Sequence, residues 1–219
     1  MANLTQGQSI KLGKVIERII APMLRQNGYA FTNSEEYENL LTRPDYIILE
    51  GARPIASLAV TATSTSQAWR MKRWRYIDEI AQLKSFYGED FLAINVLYAD
   101  MSLFQESERA ITDAFFDVSI LAVELEHGKE LMDLATATVL AHSEDTVETI
   151  SDRIVVSPVW KAHMPYLVSA IGRCLEDRGS LTGKNIFRPV WRREHPDYHA
   201  TCRQCCVRSS RSGSPICAM

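Results

Sequence analysis

Arg43-Pro44-Asp45-Tyr46-Ile47-Ile48-Leu49-Glu50, then Gly51-Ala52-Arg53-Pro54, then Ile55-Ala56-Ser57-Leu58-Ala59-Val60-Thr61-Ala62-Thr63, is the stretch on which the architecture turns. Asp45 to Glu50 and Ile55 to Thr63 are short runs rich in β-branched and aliphatic residues, and the Gly and Pro between them suit a turn. They predict a β-hairpin.

On the N-terminal side, Leu12, Val15, Ile16, Ile19, Ile20, Met23 and Leu24 recur at three- and four-residue spacing, which predicts one buried face of a helix from Thr5 to Asn27. Thr5 and Gln8 fit a capping box, Asn27-Gly28 fits the stop, and Pro22 predicts a kink or a restart. On the C-terminal side, Thr63-Ser64-Thr65-Ser66 offers N-caps to a helix reaching about Tyr87, with Trp74, Ile77, Ala81 and Lys84 on one face and Gly88 as terminator. Phe91 to Tyr98 is apolar almost throughout and predicts a strand covered on both faces. Further on, the pattern predicts a helix at Gln105 to Phe115, a strand at Val118 to Leu125, a helix at Gly128 to Leu140, and a helix at Trp160 to Leu175 interrupted by Pro165. The order helix, hairpin, helix, strand, helix, strand, helices predicts an α/β fold with a mixed central β-sheet flanked by helices.

The chain has 219 residues, 46% hydrophobic and 23% charged, which is ordinary for a globular protein and excludes a largely disordered or collagen-like chain. A domain over residues 1–180 and a basic, Cys-containing extension over residues 181–219 are expected. No run approaches the roughly 20 apolar residues of a membrane helix. Met1 to Gly13 lacks the plan of a signal peptide, so the expected setting is cytoplasmic, without a membrane partner. The net charge of -3 averages unlike segments: acidic residues crowd Glu35 to Glu38 and Glu124 to Glu148, and cations gather at Arg70 to Arg75 and from Lys184 to Arg211. Of the five cysteines, Cys174 stands alone and Cys202, Cys205, Cys206 and Cys217 fall in the last 18 residues, so the core is not held by disulfides.

The hairpin also carries the candidate chemistry. Asp45 at the start of its first strand comes beside the middle of the second, near Ala59 and Thr61, and Glu17 on the first helix can approach the same edge. Converging carboxylates suit magnesium, which takes one or two of them plus water and substrate phosphate. The basic run Trp69-Arg70-Met71-Lys72-Arg73-Trp74-Arg75-Tyr76 suits phosphate backbone, with Arg70, Lys72, Arg73 and Arg75 as DNA contacts; its plainer reading is an exposed helical face with Trp74 turned to the core.

Taken together, Arg43-Pro44-Asp45-Tyr46-Ile47-Ile48, the turn, Pro54 to Thr61 and the basic helix resemble the PD-(D/E)xK core of restriction-type endonucleases, over roughly Gly13 to Asp100. Glu17, within Gly13-Lys14-Val15-Ile16-Glu17, is similar to the auxiliary carboxylate of that family's first helix. The resemblance implies a restriction-endonuclease-like fold and magnesium-dependent hydrolysis of phosphodiester bonds in duplex DNA by a homodimer of a restriction system. Ala59-Val60-Thr61 stands where the family has Glu-x-Lys. Members that move these groups to the following helix point to Glu79 as the displaced carboxylate and Lys72 or Arg70 as the displaced cation, with Thr61 or Ser64 holding water or a phosphate oxygen. Asp45, Glu17 and Glu79 are thus the expected metal ligands, and Asp45, Lys72, Arg70 and Thr61 the expected catalytic groups. If the missing pair is not replaced, the chain is a DNA-binding or self-associating protein on the same fold.

Other clusters point less far. His195, His199, Cys202 and Cys205 are of the right types for zinc, at a spacing unlike the familiar fingers. Glu35-Glu36-Tyr37-Glu38 reads as a solvated loop away from DNA, and His127, His142 and His163 as ordinary structural or surface residues. Ser119, Ser143 and Ser169 lack a nucleophile elbow, and no phosphate-binding glycine loop is present.

Overall fold

The computed structural model describes residues 4–33, 44–63, 66–99 and 116–177, with the backbone alone for residues 33 and 66–75. All of them lie in the unit Met1–Phe187. The expected extension at 181–219, the helix at Gln105 to Phe115, the acidic run Glu35 to Glu38, and the zinc candidates His195, His199, Cys202 and Cys205 lie outside the described residues.

The fold is α/β, with a five-stranded mixed sheet flanked by helices. Helix α1 (Gln6–Gln26) opens on the expected capping box, with Gln8 N donating to Thr5 Oγ1 at 3.3 Å and Thr5 N to Gln8 Oε1 at 2.9 Å. It runs on through Pro22 as one element. Strands β1 (Ala30–Asn33), β2 (Tyr46–Glu50) and β3 (Arg53–Ala62) form an antiparallel meander. The hairpin is tighter than its sequence implied. Gly51 at φ 63 turns the chain, and Arg53 and Pro54 already belong to β3, facing Glu50 and Leu49. Pro54 has no N–H for the ladder, and the register shifts between Ile48 and Leu49 opposite it.

Helix α2 (Ser66–Tyr87) then leads to β4 (Leu92–Tyr98), parallel to β3, and β5 (Val118–Leu121) lies parallel to β4. Strand order is β1-β2-β3-β4-β5. Strand β5 is shorter than the expected Val118 to Leu125, because residues 122–127 turn the chain into α3 (Gly128–Ala141). Helices α4 (Val147–Val155) and α5 (Pro158–Glu176) follow, the latter uninterrupted at Pro165. Helix α4 and strand β1, absent from the expected order, are at nine and four residues too short to show a period.

The two faces of the sheet differ. Tyr46, Ile48, Ala56, Leu58, Val60, Ala62, Leu92, Ile94, Val96, Tyr98, Val118 and Ile120 point to one side, into a continuous apolar core with α1, α3, α4 and α5. On the other side, covered by α2, one apolar cluster among the described residues joins Ile47, Leu83 and Phe91, with Leu49 and Tyr87 against it. Strand alternation turns Ser57, Ala59, Thr61, Asn95 and Ser119 to this second side.

His163 of α5 is wholly buried in the large core. Its Nδ1 lies 2.8 Å from the Glu126 carbonyl oxygen, which can only accept, so Nδ1 carries the proton and Nε2 accepts from the Tyr98 hydroxyl at 2.9 Å. Burial holds its pKa below the usual 6.5 and pushes that of Tyr98 up. The unfolded chain therefore takes up a proton that the folded protein excludes, and stability rises with pH across this range. Urea midpoints are expected to hold steady above about pH 6.5 and to fall as the pH drops below it. In His163→Gln that part of the pH dependence is lost, which urea titrations across the range would measure.

Candidate functional site

Asp45 follows Pro44 and precedes the first paired residue of β2, so the β2 backbone has nothing to offer Val60 on the neighbouring strand. The carboxylate does so instead: Val60 N donates to Asp45 Oδ2 at 2.7 Å. Since Tyr46 pairs with Leu58, Asp45 stands level with Ala59, which in turn pairs with Asn95, and Asn95 with Ser119. One transverse row, Asp45, Ala59, Asn95, Ser119, thus crosses four strands.

Helix α2 lies above this row in a phase the sequence did not announce. Tyr76, Glu79, Ile80 and Leu83 face the sheet, whereas Ala81 is exposed and Ile77 and Lys84 are half-buried. The expected face is therefore misphased at Ile77, Ala81 and Lys84, and the side chain of Trp74, expected on the same face, lies outside the described residues. Hydropathy cannot phase a helix whose sheet partners include Ser57, Thr61 and Asn95, because the matching helical face is itself partly polar. Thr61 and Tyr76 share a hydrogen bond of 2.9 Å between their hydroxyls, and Leu83 reaches Ile47 and Phe91. Glu79 lies between these two anchors and is only 3% exposed.

Glu17 sits on α1, on the opposite side of the sheet. The Tyr46 hydroxyl donates to the Glu17 carbonyl oxygen at 2.7 Å. Burial raises the Tyr46 pKa, and the nearby Glu17 and Asp45 carboxylates raise it further. Both charges are thus felt at one hydroxyl on the sheet margin. Glu17 thus belongs to the side of the sheet packed by α1, Glu79 to α2, and Asp45 lies at the start of β2, bound to Val60 N. Among the described residues no group of three or more His, Cys, Asp or Glu side chains is placed to hold a metal. Arg70, Lys72, Arg73 and Arg75 belong to the first half of α2, and their side chains lie outside the described residues, as does Ser64.

Thr61 is wholly buried, with its hydroxyl bound to Tyr76. That position is a poor one for holding a solvent-borne water, contrary to the role expected of it. Two residues went unnoticed in the sequence. Asp117 precedes β5 as Asp45 precedes β2, its Oδ2 accepting from Ala93 N at 2.8 Å and its Oδ1 lying 2.6 Å from Lys84 Nζ. Asn95 is the lone amide in Leu-Ala-Ile-Asn-Val-Leu-Tyr of β4. A polar interruption of an otherwise apolar strand was the available signal for it.

Comparison with known proteins finds no matching family model, no matching curated protein and no matching solved structure.

Proposed function

We propose that this chain is a magnesium-dependent endonuclease of the restriction type, hydrolysing phosphodiester bonds in duplex DNA as a homodimer. The reading rests on one observation: Asp45 is held beside Ala59 at the start of the β2–β3 pairing by the Val60 N–H, with a buried carboxylate, Glu79, on the helix that follows β3. The order of α1, the three-stranded meander, α2 and the parallel β4 supports a restriction-endonuclease-like core.

The donor set fits the cation. Magnesium needs only one or two carboxylates and completes its shell with water and phosphate oxygen, so Asp45 and Glu79 suffice in kind. When bound there, the ion polarises the scissile phosphate and lowers the pKa of a water. The chain itself holds Asp45 in place through Val60 N, keeps Glu79 away from bulk water, and carries a cationic stretch at residues 70–75 to offset phosphate charge.

A second reading is favoured by Ala59 and Thr61, both buried and neutral where the resembled family has Glu-x-Lys. It makes the chain a DNA-binding protein that does not cut. Incubating supercoiled plasmid with the full chain, with magnesium or with EDTA, separates the two. Nicked or linear product that requires magnesium is the expected result. Salt-dependent DNA binding with intact plasmid would establish the second reading instead.

A further inference from the structure

The two sides of the sheet treat buried polar atoms differently. On the α1 side the Tyr98 hydroxyl and both His163 nitrogens have partners, and Ser151 Oγ donates to the Val147 oxygen at 2.7 Å. On the α2 side Asn95 has no exposure and neither its Oδ1 nor its Nδ2 has a hydrogen-bond partner, and Ser119 Oγ and Thr32 Oγ1 are likewise buried without one. Strand pairing fixes the side: Asn95 and Ser119 stand in one row with Ala59, and Thr32 pairs with Ile47, against which Leu83 of α2 packs. A buried polar atom without a partner is less stable than the same atom in water. The Asn95 amide and the Ser119 hydroxyl are therefore better satisfied with α2 off the sheet than on it.

Helix α2 is also lightly held. Among its described side chains Leu83 alone is an apolar group with no exposure, whereas α1 has six: Val15, Ile16, Ile19, Ile20, Met23 and Leu24. Two of the ties of α2 to its surroundings are polar, the hydroxyl pair Tyr76–Thr61 at 2.9 Å and Lys84 Nζ to Asp117 Oδ1 at 2.6 Å. Water replaces such bonds at small net cost, and it offers nothing in place of an apolar contact. Just before the helix the chain is fixed to the sheet, Thr63 N donating to the Tyr98 oxygen at 3.0 Å. Directly after it Gly88 turns the chain at φ 97, and Phe91 N donates to the Gly88 oxygen at 3.1 Å.

We propose that α2 is a movable cover, lifting from the sheet between Thr63 and Gly88 while α1, α3, α4 and α5 stay packed. The unmatched Asn95 amide and Ser119 hydroxyl lower the cost of lifting, because water joins them when the helix leaves. Opening gives solvent access to a polar surface that the closed domain hides, and it needs neither DNA nor catalysis.

Hydrogen–deuterium exchange of the full chain, read by mass spectrometry at peptides within 76–87 and 12–24, is the test. In the wild type the α2 amides are expected to exchange at least about tenfold faster than those of α1 after correction for intrinsic rates, as in an element that opens without the rest of the domain. Ile16→Val, in the large core, is expected to speed exchange in α1 several-fold and to leave α2 at its wild-type rate. Asn95→Leu is expected to slow exchange in α2 by about tenfold, since the closed state then buries no unmatched amide. Wild-type α2 amides as protected as those of α1, or equal acceleration of both helices by Ile16→Val, would show that α2 leaves only when the whole domain unfolds and would overturn the proposal. Unchanged α2 exchange in Asn95→Leu overturns the part given to the polar row. Should Asn95→Leu not fold, Asn95→Val takes its place with the same two outcomes.

Discussion

Asp45→Asn is expected to lower the rate of magnesium-dependent plasmid cleavage by about 1,000-fold or more while leaving the thermal midpoint close to wild type. The two effects separate because the carboxylate does two things. Its Oδ2 accepts the Val60 N–H, a role the Asn carbonyl oxygen takes over with little loss. Its charge is what the proposed cation needs, and an amide does not supply it. A factor of 1,000 corresponds to about 4 kcal/mol of transition-state stabilisation, a reasonable size for the loss of a ligand from a metal-assisted reaction. Asp45→Ala removes both roles, so it should also lose about 1–2 kcal/mol of stability through the unmatched Val60 N–H. Single-turnover plasmid conversion and thermal melting of the two variants make the measurement. Cleavage that persists in either variant removes Asp45 from the reaction.

The largest effect on folding is expected at Gly128, the first residue of α3. A β-carbon there would overlap the Ala122 carbonyl oxygen and lie 2.8 Å from Ala122 C and 3.0 Å from Val123 Cα. These are main-chain atoms of the turn that leads out of β5. Ala122 N donates to the Leu97 oxygen at 3.0 Å, and Gly128 N to the Leu125 oxygen at 2.9 Å, so the turn is tied to the sheet at one end and to the helix at the other. Neither side can yield cheaply. His127 at φ 61 already holds the left-handed conformation just before the helix. Gly128→Ala is expected to cost about 3 kcal/mol or more, which for a domain of this size lowers Tm by roughly 6–12 °C. Gly13→Ala is the control: nothing approaches its position within 4 Å, and inside α1 the extra methyl should stabilise by up to about 1 kcal/mol. Equal melting of wild type and Gly128→Ala would refute the close approach.

How much could be read from sequence depended on what each element packs against. Helix α1 was legible to the residue because its buried face is wholly apolar and both ends carry side-chain or glycine signals. The hairpin was legible in kind, and its turn was misplaced by two residues because Pro54 reads as a loop signal while serving as a bulge partner at a strand start. Helix α2 was placed correctly and phased wrongly, since its contacts with the sheet include hydroxyl, amide and carboxylate groups that no hydropathy period registers. The same polarity hid Asn95. That it stands between Ala59 and Ser119 follows from the pairing of β3, β4 and β5, which is a non-local fact. Asp45 was found through its motif, yet its bond to Val60 N depends on where β2 begins.

The unequal covering of the sheet separates two burdens that most folds impose on the same residues. The side chains that hold the domain together point toward α1, α3, α4 and α5, and those at positions 57, 59, 61, 95 and 119 point away from them. Charged groups on the α2 side would add little to cohesion and would carry a desolvation cost. Ala59 and Thr61 lie buried on that side without the desolvation cost that charged side chains would carry there, so the sequence of this face can vary in polarity with little consequence for the core on the other.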